Sequence, residues 1–185
     1  MEIDLLRNAE VIRSSFKQRF VATWEEFQIS HRDWVDSLAV NGETYAKNWY
    51  DNSLLWDKLN FPVVVATFDE ALSYLSTKQG KVMFMAEGSE HPYPGELQLF
   101  GQKFVDFVAI AEAEELAQLI RQEWTETNLL YQMDMYYPNP ILPDDIYVFD
   151  KTMDWLLVFT SETTDCEIMS QAENRYCIIH KKLAE

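Results

Sequence analysis

The hydrophobic period of this chain changes near Phe61, and that change limits it to folds that combine helices with a sheet. Before it, Leu5, Ala9, Ile12, Phe16, Phe20, Trp24 and Phe27 recur at steps of three and four residues. Such spacing sets them on one stripe of a helix. Arg7, Arg13, Lys17 and Arg19 lie largely off that stripe. The pattern predicts an amphipathic helix over Ile3–Phe27, broken near Thr23. Its stripe is suited to packing on a core, because a membrane-surface helix would carry a strongly basic polar face. Over His31–Asn60 the aromatics Trp34, Tyr45, Trp49, Tyr50 and Trp56 crowd around a turn at Asn41-Gly42. Trp34 shares a helical face with Leu38, and Tyr45 with Trp49, so two short helices are expected.

After Phe61 the apolar residues come in short blocks. Pro62–Ala66 is rich in β-branched residues and reads as a strand or a buried extended segment. Asp69 is the expected cap of a helix bearing Ala71, Leu72 and Leu75, stopped by Gln79-Gly80. Lys81–Ala86 reads as a strand, Glu87–Gly95 as a loop, and Leu97–Phe100 as an edge strand or a turn of helix. Phe104–Ala109 follows as a strand. Glu112–Trp124 follows as a helix with Leu116, Leu119 and Ile120 inward. Asp145–Phe149, read as alternating, Trp155–Thr160 and Arg175–His180 form an antiparallel meander. Its first two strands are joined across Asp150–Asp154, where aspartates can bond nearby amides. The expected fold is a single α+β domain in three stretches. Residues 1–60 are helical, 61–140 are mixed, and 141–185 form a β-meander in one sheet.

Charge sets the second constraint. Fifteen Lys and Arg stand against 31 Asp and Glu, a net of −16. Val82–Asp150 holds thirteen acids and only two bases, Lys103 and Arg121, and Gln122–Asp150 has no base at all. A surface of this sign repels nucleic acid and anionic membrane and attracts basic proteins. No stretch approaches the roughly 20 apolar residues that span a bilayer. Met1-Glu2-Ile3-Asp4 is acidic at once, unlike a secretory leader. Two cysteines, Cys166 and Cys177, are too few for a disulfide framework. A soluble cytoplasmic protein is expected.

Candidate chemistry is sparse. His31, His91 and His180 fall in no motif with a serine or cysteine, and no G-x-S-x-G occurs. The two cysteines lack partners at zinc spacing, and Cys177 reads as a buried thiol in a strand. Glu112/Glu114/Glu115 and Asp144/Asp145 could bind Mg²⁺ only loosely, since sequence neighbours on a helix diverge. Glu112 and Glu115 instead suit a helix start, where the macrodipole favours negative charge. Gly88 and Gly95 sit among Glu87, Glu90 and Glu96, which would repel a phosphate. No cofactor and no metal are expected.

Leu142-Pro143-Asp144-Asp145-Ile146-Tyr147-Val148-Phe149-Asp150, followed by Trp155-Leu156-Leu157-Val158-Phe159-Thr160, resembles a hairpin of small bacterial proteins. Some of those are similar to immunity proteins that accompany secreted toxins. The resemblance implies a bacterial, cytosolic, non-enzymatic protein and names no partner. In some similar hairpins His-Glu follows the second strand. Here Ser161-Glu162 follows, so a role for that histidine does not carry over.

Charge and resemblance together lead to an acidic binding protein of the immunity or inhibitor type that occludes a basic partner such as a nuclease toxin. The residues expected to pair with the partner's Lys and Arg are Glu112, Glu115, Glu123, Glu126, Asp134, Asp144 and Asp145. The alternatives are a small-ligand or enzymatic cleft lined by Trp49, Trp56, Tyr136 and Tyr137 with nearby carboxylates, and a self-associating structural protein, such as a homodimer, joined through exposed aromatics of Trp34–Trp56.

Overall fold

A computed structural model describes residues 3–38, 41–60, 63–86, 98–99, 102–103, 108–132, 142, 145–163 and 175–181. The expected loop Glu87–Gly95 lies outside them. The chain opens not in a helix but in a two-residue strand, β1 (Asp4–Leu5). Helix α1 follows at Ala9–Phe20 and α2 at Trp24–Ser30, so the predicted Ile3–Phe27 helix is three elements. The break falls near Thr23 as expected, and a contact distant in sequence fixes it. Val21 forms a β-bridge with Leu59, and the Ala22 amide donates to the Lys58 carbonyl at 2.7 Å. Thr23 then restarts the helix through a capping box with Glu26.

Helices α3 (Arg32–Ser37) and α4 (Gly42–Asn52) are the two expected over His31–Asn60, and a 3₁₀ turn follows at Leu55–Lys58. Asn41 is left-handed, with φ of 76°, before α4. At Gly42 a β-carbon would stand 2.8 Å from the Leu38 Cβ and 3.2 Å from the Val35 carbonyl oxygen. Glycine therefore lets α4 cross close to α3.

Strand β2 (Val63–Ala66) precedes α5 (Phe68–Ser76). The cap of α5 is Thr67, not Asp69. Its hydroxyl accepts from the Glu70 amide while the Glu70 carboxylate accepts from the Thr67 amide at 2.8 Å. Gly80, left-handed at φ 76°, turns the chain into β3 (Lys81–Ala86). β4 (Gln98–Leu99) pairs with β5 (Gln102–Lys103) as a separate hairpin. β6 (Val108–Glu112) lies later than the predicted Phe104–Ala109, and of that range residues 104–107 are outside the description. Glu112 consequently ends a strand, paired in register with Lys81, and does not start a helix. Helix α6 runs over Ala113–Gln132, eight residues past the predicted end. β7 (Ile146–Phe149), β8 (Trp155–Thr163) and β9 (Arg175–Lys181) form the expected meander.

Seven of these strands make one antiparallel sheet in the order β1-β6-β3-β7-β8-β9-β2. The fold is thus mixed α+β, with helices on both faces of the sheet. Val82, Phe84, Ile146, Val148, Leu157, Phe159, Cys177 and Ile179 face α5 and α6. Met85, Tyr147, Phe149, Leu156, Val158 and Ile178 face α1 and the 3₁₀ turn. The sequence alternation expected of β7 is therefore not one of inside and outside. All four of its residues are buried, as in any strand covered twice. Phe16 of α1 sits over the middle of that strand, its ring 5.6 Å from Tyr147 and 5.1 Å from Phe149.

Neither helical layer reaches β2. Ala66 is covered, but Val63, Val64 and Val65 remain 40%, 57% and 51% exposed. The buried alternative for this segment is overturned: it is the edge of the sheet.

Candidate functional site

The seven acids expected at a partner interface meet different fates. Glu112 and Glu115, with Glu114 between them, are exposed where β6 passes into α6. Glu123 is 4% exposed, and its Oε2 accepts the Leu142 amide at 2.8 Å. It is held inside the fold and does not face outward. The reason is its helical position. Ala113, Leu116, Ile120 and Glu123 fall on one stripe of α6, and that stripe is the buried one. Asp145 is half-buried at the entry to β7. Glu126 lies on α6 with its side chain outside the described residues, as Asp134 and Asp144 are entirely.

Asp150 and Asp154 serve the β7–β8 turn. Asp150 Oδ1 accepts the Asp154 amide at 2.9 Å, and the Thr152 hydroxyl stands between the two carboxylates. Met153 takes φ of 56° there, and its amide donates to the Asp150 carbonyl at 3.0 Å. The left-handed Met153 thus closes the turn within the five-residue connection Asp150–Asp154.

Several basic side chains are drawn inward or matched, while Arg7, Lys17 and Lys151 stay exposed and enter none of the ion pairs among the described residues. Arg13 and Arg19, on the polar side of α1, donate to the carbonyls of Ala86 at 3.1 Å and Met153 at 3.2 Å. They pin α1 along β7 at both ends. Arg32 pairs with Asp36, Lys47 with Asp51, Lys81 with Asp4, and Arg121 with Asp69. Lys58 is buried with its ammonium 4.9 Å from the Tyr50 ring, and Lys78 stands 3.9 Å from Tyr74 and 4.8 Å from Trp155. Meanwhile Glu10, Glu25, Asp33, Glu43, Glu112, Glu114 and Glu115 point outward and enter none of these ion pairs.

The aromatics of α2–α4 build a small core of their own around Phe27. Its ring lies 4.1 Å from His31, 5.6 Å from Trp49 and 5.3 Å from Tyr50, with Trp34 edge-on at 6.3 Å. The Tyr50 hydroxyl donates to the Ala22 carbonyl at 2.6 Å. Burial raises the Tyr50 pKa above its ordinary value, with nearby Lys47 opposing that shift. Trp56 packs instead on Tyr176, and no ring contact joins it to Trp49. Two of the residues proposed to line one cleft thus belong to separate clusters, and Tyr136 and Tyr137 lie outside the described residues. An open cavity of ≈ 370 Å³ does occur between α2 and α3, lined by Glu25, Gln28, Ile29, Arg32, Val35 and Asp36.

Both described histidines are packing groups. His31 closes α2, with Nδ1 3.2 Å from the Phe27 carbonyl oxygen. His180 is buried on β9, edge-on to Phe20 at 5.3 Å. Burial lowers its pKa below the ordinary 6.5, with Arg19 acting in the same direction. Among the described residues no cluster of His, Cys, Asp and Glu is placed to hold a metal ion, and no helix is long and apolar enough to cross a membrane.

No family model matches the chain, and no curated protein or solved structure is similar to it. Among the described residues, seven exposed carboxylates enter none of the ion pairs, whereas Arg13, Arg19, Arg32, Lys47, Lys58, Lys81 and Arg121 are engaged.

Proposed function

We propose that the protein is a non-enzymatic binding protein that engages a basic protein surface, in the manner of an immunity or inhibitor protein that covers a nuclease's nucleic-acid groove. The observation that carries the reading is the disposition of charge. Arg13, Arg19 and Lys58 are committed to carbonyls or to the half-buried Tyr50 ring, and four further bases are matched by single carboxylates. Arg7, Lys17 and Lys151 stay open to solvent without an ion pair or ring contact among the described residues. Glu112, Glu114 and Glu115 stand exposed together at one sheet–helix junction. Carboxylates presented this way can occupy the places of phosphates on a basic partner and steer its approach. The hairpin resemblance points the same way, toward a bacterial cytosolic setting.

The test is capture of the partner by cross-linking in the native host, followed by titration over a range of salt. The expected partner is basic, and the logarithm of affinity falls steadily with added salt. Reversal of Glu112 and Glu115 to Lys weakens binding at least tenfold, about 1.4 kcal/mol or more, and flattens the salt dependence. Binding indifferent to both salt and reversal rejects the reading.

A further inference from the structure

The two edges of the sheet are built differently. β1 is two residues long, and its Asp4 is exposed and paired with Lys81 at 3.3 Å. Short length and charge are the ordinary ways of blunting an edge. β2 is twice as long, carries no charge, and runs in unbroken register against β9 from Val63↔His180 to Ala66↔Cys177. Its side chains are bare on both faces, since Val63 and Val65 stand on one and Val64 on the other, all 40–57% exposed. In an antiparallel edge strand, alternate residues turn their N–H and C=O groups away from the sheet. β2 therefore offers backbone donors and acceptors flanked by valine, which is the template for adding a strand.

We infer that β2 pairs antiparallel with β2 of a second copy of this chain, making a weak two-fold dimer with one continuous sheet. Charge argues for a like strand. The chain carries −16, yet residues 63–66 carry none of it, so a basic strand would find no counter-charge along the seam. An uncharged strand of the same kind meets valine with valine. A two-fold axis normal to the sheet at Val64 sets Val64 opposite Val64 of the second copy and Val63 opposite its Val65, so that facing side chains share a face. The contact is isologous, and with the β1 edge blunted it closes at two subunits. Its area sets its strength. Three half-exposed valines a side fall far short of the roughly 800 Å² per partner of a stable interface, so a dissociation constant of about 100 μM or weaker follows. Two subunits each at −16 repel, and salt screens that repulsion. Self-association should then strengthen with salt, opposite in sign to binding of a basic partner.

Analytical ultracentrifugation from low micromolar to about 0.5 mM, at low and high salt, tests this. The weight-average mass should climb from 21.8 kDa toward twice that value, sooner at high salt. Val64→Lys places a charge at the seam on an exposed site and should weaken the dimer at least tenfold without altering the circular dichroism or thermal midpoint. Val11→Lys, at an exposed position on α1, should change nothing. If Val64→Lys folds poorly, amide exchange in the wild type decides. Protection of residues 63–66 must rise with protein concentration. A chain monomeric throughout, a dimer untouched by Val64→Lys, or assembly that continues past two subunits overturns the inference. Partner binding that weakens with salt and survives Val64→Lys leaves the proposed function standing in each of those cases.

Discussion

Glu123 separates an acid that holds the fold from one that meets a partner. Its carboxylate accepts the Leu142 amide at 2.8 Å, and Leu142 is itself buried. The bond fixes the chain just ahead of β7 against the buried face of α6. Glu123→Ala removes the acceptor and leaves an amide N–H stranded, which costs about 1–3 kcal/mol. Loss of the packed side-chain methylene adds about 1 kcal/mol. The expected total is about 2–4 kcal/mol, a large part of the roughly 5–15 kcal/mol that stabilises an ordinary domain. Glu123→Gln keeps a carbonyl oxygen in reach of the amide and gives up only the charge, so it should cost about 1 kcal/mol. Urea unfolding followed by tryptophan fluorescence measures both. An alanine variant within about 0.5 kcal/mol of wild type would refute the structural role. Equal losses for alanine and glutamine would show that the charge, and not the acceptor, is what the site requires.

Three further outcomes follow from local features. His180 is held neutral by burial and its pKa lies below 6.5, so the unfolded chain takes up its proton first on acidification. Stability from this group is complete above 6.5, declines as pH falls below it, and is lost beneath the native value. The urea midpoint should drop over that window in the wild type and less in His180→Leu; parallel profiles would refute the assignment. Thr67→Ala removes the hydroxyl that caps α5 and should cost about 1 kcal/mol by thermal unfolding. It should also move the Glu70 carboxyl part of the way back toward its usual range, because the Thr67 amide, the larger cause of the lowered pKa, remains while the hydroxyl is lost, a shift that a carboxyl titration by NMR reads directly. Gly42→Ala drives a methyl into Leu38 and the Val35 carbonyl and should cost about 1–3 kcal/mol. An unchanged melting curve would show that α3 and α4 do not cross as closely as described.

The parts of the fold legible in the sequence are those with a short-range cause. The change of period at Phe61, strand Lys81–Ala86 and the Asp150–Asp154 turn each follow from neighbouring residues. What the sequence left open needed partners far along the chain. The helix break near Thr23 is legible, but its anchoring on Leu59 and Lys58 is not, and the double burial of β7 depends on α1 covering one face and α5 with α6 the other. Two misreadings had local remedies. Thr67 with Glu70 is a capping box in plain sight, and Glu123 stands three residues after Ile120 on the stripe already assigned to the core. Its charge hid its position. Of the seven acids expected at an interface, Glu112 and Glu115 are exposed, though Glu112 belongs to a strand.

The order of the sheet also governs when the chain can fold. Among the described residues β2 pairs only with β9, where Val63 meets His180, and β1 waits for β6. The central strands β7 and β8, by contrast, adjoin each other across five residues. On a ribosome, α1 emerges long before the strands it covers. Phe16 and Phe20 stay uncovered until β7 and the final strand appear. Such long-range closure slows folding and prolongs exposure of sticky surface. A truncation that removes only β9 would therefore cost the molecule its beginning as well as its end.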